Sequence, residues 1–291
     1  MAVRGRSARS ARGQHFLRSS RLAAALVREA GVAQDDLVVD VGAGTGVLTR
    51  ALLDVGARVV AVERDASLAA GLRARFGSDV SVVEADVLEW RLPTERFAVV
   101  ANLPFAGSGA ILSRLLRGPV TSAEVIVEWG FAEKHAAIWP ATLKGAYWRA
   151  FYAVEIGRRL DRTAFAPPPS VDAAVLRFTR RTDSLVPMTE SQQYWQFLSE
   201  AFDARTEVRR SVLTPLQTKR LAAIHGFRRD ARPRDLDALQ WASIYASVRR
   251  PLHAGARRCE GLAGAPGRDA EQARRGLADS RLTGPHPLHK L

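Results

Sequence analysis

Five short runs of mostly branched aliphatic residues recur along the first half of the chain, at Leu37–Val41, Arg58–Glu63, Val80–Glu84, Phe97–Ala101 and Glu124–Trp129, with helix-length segments between them. Short apolar runs of this kind suit strands buried on both faces, and a helical crossover returns the chain to the same end of a sheet. The alternation predicts an α/β fold with a parallel sheet. Tyr152–Ile156 and Ala173–Thr179 extend it to seven strands, the second run following the Pro167-Pro168-Pro169 break within a connection short enough for an antiparallel pair.

Outside the sheet the texture is helical. Leu22 to Ala30 has helical spacing, as do Tyr194, Phe197, Leu198, Ala201 and Phe202, and then Leu236, Leu239, Trp241 and Tyr245. The expected organisation is a basic arm over 1–12, a catalytic α/β domain over 13–181, a small all-α domain over 182–249 and a basic tail over 250–291. That tail is rich in Gly, Pro, Arg and Ala and has few large apolar residues, so it is expected to be disordered.

Charge narrows the partner. The 291 residues carry 43 Lys+Arg against 30 Asp+Glu, a net charge of +13, which excludes an acidic disordered chain. Before Glu29 there is no acidic residue, while Arg4, Arg6, Arg9, Arg12, Arg18, Arg21 and Arg28 precede it. An excess of this size favours a polyanion through counterion release, and RNA is expected rather than a membrane. No apolar run approaches the ~18 residues of a membrane span. The single Cys259 excludes an internal disulfide framework and a Cys-rich zinc site, so no metal is expected and a reducing cytoplasm fits.

Asp40-Val41-Gly42-Ala43-Gly44-Thr45-Gly46 follows the first strand and opens a helix near Val47. Glycines there let main-chain atoms approach a nucleoside-like ligand. A dinucleotide fingerprint needs G-x-G-x-x-G, but counting from Gly42 the third glycine position is Val47, which argues against NAD. The spacing D-x-G-x-G-x-G instead resembles class I methyltransferases that bind S-adenosylmethionine. Glu63 ends the second strand, where an acid can accept ribose hydroxyls, and Asp86 ends the third, placed to accept an exocyclic amine. Arg64 and Val87 beside them complete the candidate rim.

The fourth strand delivers Asn102-Leu103-Pro104-Phe105 at the same edge. An exocyclic aromatic amine is a poor nucleophile because its lone pair is delocalised into the ring. Two acceptors on its N–H groups localise that pair, and Asn102 Oδ1 with the Leu103 carbonyl can supply both. Pro104 sets the turn, and Phe105 offers a stacking face.

This array resembles the rRNA adenine N6-methyltransferases, the family containing the Erm macrolide-resistance enzymes and the KsgA-type dimethyladenosine transferases. The resemblance runs from about Gly13 to Arg180 and more weakly to Trp241. Gly13-Gln14-His15-Phe16-Leu17 is similar to the family's Gln-Asn/His-Phe-Leu segment, implying that Gln14, His15 and Leu17 help cover the cofactor. Phe165-Ala166-Pro167-Pro168-Pro169-Ser170-Val171-Asp172 is similar to its Phe-x-Pro-x-Pro-x-Val-Asp motif, implying that Phe165 is the second aromatic face of a sandwich around the target adenine.

The resemblance implies a cofactor, S-adenosylmethionine, held by Gln14, His15, Leu17, Asp40, Gly42, Gly44, Glu63, Arg64, Asp86, Val87 and Asn102. Asn102, Leu103, Pro104, Phe105 and Phe165 are then the catalytic set. Phe105 followed by Ala106-Gly107-Ser108-Gly109 looks like actinobacterial Erm proteins, implying 23S rRNA as substrate, a monomer, and antibiotic resistance. Glu128-Trp129-Gly130 departs from the Gln-Lys-Glu turn common to both branches. A KsgA-type enzyme acting on 16S rRNA and a non-catalytic RNA-binding factor are the alternatives. Arg205, Arg209 and Arg210 are candidate phosphate contacts.

Overall fold

A computed structural model describes residues 14–140, 142–203 and 212–249. The basic arm, the tail with Cys259, and the candidate phosphate contacts Arg205, Arg209 and Arg210 lie outside these residues. In chain order the strands are β1 (Phe16–Leu17), β2 (Leu37–Val41), β3 (Arg58–Glu63), β4 (Val80–Glu84), β5 (Phe97–Asn102), β6 (Val120–Glu128), β7 (Tyr152–Leu160), β8 (Phe165–Ala166) and β9 (Ala173–Arg180). The helices among the described residues are α1 (Ser20–Glu29), α2 (Val47–Asp54), α3 (Ala66–Phe76), α4 (Ser108–Leu115), α5 (Trp129–Ala136), α6 (Leu143–Phe151), α7 (Ser191–Asp203), α8 (Pro215–His225) and α9 (Ala238–Arg249).

One seven-stranded sheet has the order β4-β3-β2-β5-β6-β9-β7, and β1 pairs separately with β8. The first five strands of the sheet run parallel, while β9 is antiparallel to both of its neighbours. The seven expected strands are all present, and the fold class is the expected α/β methyltransferase type with a helical C-terminal region. Four strands differ in their bounds: β5 ends at Asn102 instead of Ala101, β7 runs on to Leu160, β9 runs on to Arg180, and β6 begins at Val120 and ends at Glu128, with Trp129 opening α5 instead of closing the strand. The polar residues Thr121 and Ser122 hide the beginning of this strand in the sequence, but pairing with β5 and β9 keeps them in the ladder.

Strand periodicity divides the core between two faces. Val38, Ala98 and Val100 point to the side covered by α1, α2 and α3, while Val39, Val41, Val99 and Ala101 point to the opposite side. On that second side the core continues through Trp148 and Phe151 of α6 to Tyr194, Leu198 and Trp241 of the C-terminal helices. Tyr194 meets Tyr245 at a centroid separation of 5.1 Å, and Phe197 meets Trp241 at 5.9 Å. Two helix starts beside the sheet are satisfied by side chains: Ser19 accepts from Leu22 N, and Asp65 from Ser67 N and Leu68 N. Among the described residues, no helix is long and apolar enough to cross a membrane.

Candidate active site

After β2 the chain builds outward through β3 and β4, then returns to place β5 on the other side of β2. The carboxyl ends of β2 and β5 flank this reversal, the place where open α/β sheets take ligands. The glycine loop leaves one strand and Asn-Leu-Pro-Phe leaves the other. Gly42 N donates to Val62 O at 2.8 Å, tying the loop to β3. Gly44 has φ +55°, and a Cβ there would lie 2.8 Å from the Phe16 ring. Gly46 has φ +78°, and a Cβ there would lie 2.7 Å from Phe76. Left-handed backbone and absent space together require glycine at both positions.

A cleft of about 340 Å³ opens at this rim, within the ~300–1,000 Å³ typical of small-molecule sites. Gln14, His15, Gly42, Glu63, Arg64, Asp86, Val87, Asn102, Leu103, Pro104 and Phe105 line it, so eleven expected site residues come together from distant parts of the chain. Glu63 is buried, with Oε2 accepting from Gly44 N and Oε1 from Asp65 N, both at 2.9 Å. These two donors fix the carboxylate, whose further lone pairs suit the hydroxyls of a ribose. Asp86 Oδ1 accepts from Leu88 N at 2.9 Å, and its Oδ2 lies 3.6 Å from the Arg64 guanidinium.

Asn102 is held by partners that the linear sequence separates widely. Its Nδ2 donates to the His15 carbonyl at 2.6 Å. A carbonyl only accepts, so the amide must present nitrogen there, which turns Oδ1 the other way. That Oδ1 is buried without a hydrogen-bond partner. His15 Nδ1 donates in turn to the Pro167 carbonyl at 2.8 Å, and Phe16 and Leu17 pair with Ala166 and Phe165. The two outlying motifs are thus one structural unit that grips Asn102. Leu103 N donates to Ile126 O at 3.1 Å, and Ser108 Oγ to Pro104 O at 3.0 Å, which holds the turn between β5 and α4.

Four expected site residues stand outside the cleft wall. Asp40 is fully buried beneath the loop and accepts from Thr49 Oγ1 at 2.6 Å. Burial pushes its pKa up to about 7, with the Glu63 charge adding to the rise and the Thr49 hydrogen bond opposing it. The residue therefore supports the loop from below. Gly44 acts through its N–H on Glu63, and Leu17 is core. Phe165 is only 1% exposed, and its ring stands at 78° to Phe105 with centroids 6.4 Å apart. In this arrangement Phe165 backs Phe105 edge to face, and His15 flanks Phe105 at 5.5 Å.

Sequence reasoning passed over Phe16, whose ring packs on Gly44 and lines the cleft, together with Ala106, Gly107 and Ile111. An aromatic inside Gln-His-Phe-Leu was the available signal for Phe16. The other three carry no distinctive chemistry; Ala106 and Gly107 enter because the turn bends into the cleft, and Ile111 enters from the following helix α4.

Strand order, switch-point loop and an acid-lined cleft are those expected of an S-adenosylmethionine-dependent methyltransferase. The buried, unpartnered Asn102 Oδ1 at the cleft wall fits that cofactor's use beside an amine acceptor. Over residues 5–249 the chain matches the ribosomal RNA adenine dimethylase family, and it belongs to that family. It is 30% identical over 251 residues to an rRNA adenine N-6-methyltransferase of Bacillus licheniformis, covering 81% of this chain and 85% of that protein. It is 34% identical over 254 residues to ribosomal RNA small subunit methyltransferase A of Rhodococcus erythropolis, covering 80% and 85%. The crystal structure of 23S rRNA methyltransferase ErmE aligns with a TM-score of 0.71 at 26% identity, covering 80% of this chain and 99% of that one.

Proposed function

We propose that this enzyme methylates N6 of one adenine in 23S rRNA and thereby confers resistance to macrolide, lincosamide and streptogramin B antibiotics. The observation that carries the chemistry is the Asn102 side chain, anchored through Nδ2 with Oδ1 buried and unpartnered. An unsatisfied buried acceptor costs about 1–3 kcal/mol, a cost that an incoming N6–H removes. The likeness to the ErmE structure and Phe105 followed by Ala106-Gly107-Ser108-Gly109 support the 23S reading.

The cofactor supplies an electrophilic methyl group on a sulfonium. Glu63 accepts ribose hydroxyls, Asp86 with Arg64 and Val87 borders the adenine end, and Gln14 and His15 cover the cleft. The target base leaves its helix to reach the rim and stacks on Phe105. Asn102 Oδ1 and the Leu103 carbonyl accept its two N6 hydrogens, drawing the lone pair out of the ring. No strong general base is required, because the proton becomes acidic once the amine is cationic. Residues 182–249, the arm over 1–12, and Arg205, Arg209 and Arg210 hold phosphates without reading bases.

A KsgA-type role on 16S rRNA is the second reading, favoured by the 34% identity to the Rhodococcus protein. Labelled-methyl transfer to deproteinised 23S and 16S rRNA, followed by mass-spectrometric mapping, separates the two. Label on one adenine of 23S rRNA is the expected result. Label on 16S alone overturns the branch assignment, and label on neither RNA favours a binding factor.

A further inference from the structure

Beyond the catalytic cleft, on the same carboxyl rim, a second open basin of about 500 Å³ is lined by Glu128, Trp129, Arg159, Arg162 and Asp172 among others. Ile126 of β6 pairs with Asn102 of β5, and Trp129 follows three residues later, so the basin belongs to the strand adjoining the reacting turn.

The walls of this basin are built. The Arg159 guanidinium lies over the Trp129 ring, 4.8 Å from its centroid. Asp172 Oδ2 accepts from Arg159 Nε at 3.1 Å and from Nη2 at 2.6 Å, and Trp129 N donates to Asp172 O at 2.9 Å. One residue thus positions both layers. A register irregularity in β7 between Ile156 and Arg159 is the kind of feature that re-aims a side chain. The Arg159 side chain remains 61% exposed, which leaves a flat cationic face toward solvent. Unstacked RNA bases bind such guanidinium planes.

The charges separate a base from a phosphate as occupant. Asp172 is paired with Arg159, and Asp161 caps the following turn by accepting from Thr163 N at 2.8 Å. The Glu128 side chain makes no hydrogen bond or ion pair among the described residues, and its carboxylate would repel a phosphate. Two carboxylate oxygens match two adjacent N–H donors, the arrangement on the Watson–Crick edge of guanine.

We propose that this basin binds a guanine adjoining the target adenine, stacked on the Arg159–Trp129 pair and read by Glu128. The proposal rests on the RNA-methyltransferase reading above and adds a specificity site to it. The test uses the full chain and synthetic fragments centred on the mapped target adenine, with each neighbour set in turn to guanosine, inosine or adenosine. Inosine keeps N1–H and lacks the 2-amino group. Wild type is expected to prefer guanosine over inosine about tenfold in kcat/KM at one neighbour, the scale of a base-edge contact. Glu128→Gln should reduce that preference to below about twofold while affinity for S-adenosylmethionine stays unchanged, which shows that the fold is intact. Arg159→Lys should raise KM for every fragment about tenfold while the guanosine preference persists. Wild type that treats guanosine and inosine alike at both neighbours overturns the proposal, as does Glu128→Gln that keeps the preference. Wild type that transfers no methyl to the natural rRNA defeats the parent reading instead.

Discussion

Asn102 and His15, 87 positions apart, are joined by a hydrogen bond of 2.6 Å from Nδ2 to the main-chain carbonyl. The bond settles which end of the amide meets the main chain and leaves Oδ1, buried and unpartnered, on the other side. The Asn102 amide, the proposed substrate acceptor, is thus oriented by main chain rather than by another side chain, and substitutions of the His15 ring should disturb it less than substitutions that shift the β1–β8 ladder.

Asn102→Ala should lower methyl transfer at least about 100-fold, comparable to removing a group that stabilises transition-state charge. Cofactor affinity by calorimetry should change little. Loss of cofactor binding as the main defect would contradict the placement of Oδ1 on the acceptor.

Phe105→Ala should weaken productive RNA binding by about 1–3 kcal/mol, the worth of one base stacked on an aromatic face. Phe105→Tyr should stay near wild type. Equal kinetics for the two variants would remove Phe105 as a stacking surface.

Gly44→Ala combines φ +55° with a clash at 2.8 Å against the Phe16 ring. The backbone penalty alone is about 1–2 kcal/mol. Moving Phe16 also disturbs the wall of the cleft, so a lower melting temperature should accompany weaker cofactor binding. Gly71→Ala, inside α3 where a Cβ meets nothing within 4 Å, is the control: it should raise the melting temperature slightly through helix propensity and leave cofactor binding unchanged.

Asp40 gives a pH signature. Its folded pKa is about 7 against an ordinary 3.8, because burial disfavours the charge. The folded state therefore holds a proton that the unfolded chain releases, and the stabilisation present below about pH 4 is lost as pH rises to 7. Asp40→Asn keeps an acceptor for Thr49 without the charge. Its melting temperature should exceed that of wild type increasingly from pH 4 to 7, with a constant difference above. A difference independent of pH would show that Asp40 is ionised throughout.

The five parallel strands, the glycine turn and the carboxylates at strand ends were legible because each depends on local spacing: a short apolar run in a doubly covered strand, three glycines within a bend, an acid where a strand stops. Asp40, Phe165 and Trp129 were harder for a common reason. Asp40 looks like a ligand-facing acid until Thr49 and the buried loop enclose it. Phe165 looks like a stacking face until pairing with Leu17 draws it into the core. Trp129 reads as the last residue of a strand, yet it begins a helix and meets Arg159 on a strand two places away in the sheet.

By itself the amino-acid sequence determined the α/β class, the order of the elements and the residue types offered at the carboxyl edge, since these follow from short-range periodicity and backbone preference. The tertiary structure alone decided which of those residues share a wall and which way Asn102 points. The contacts responsible, from Asn102 to His15 and from His15 to Pro167 across 152 positions, form only when the sheet has closed and the two ends of the domain meet.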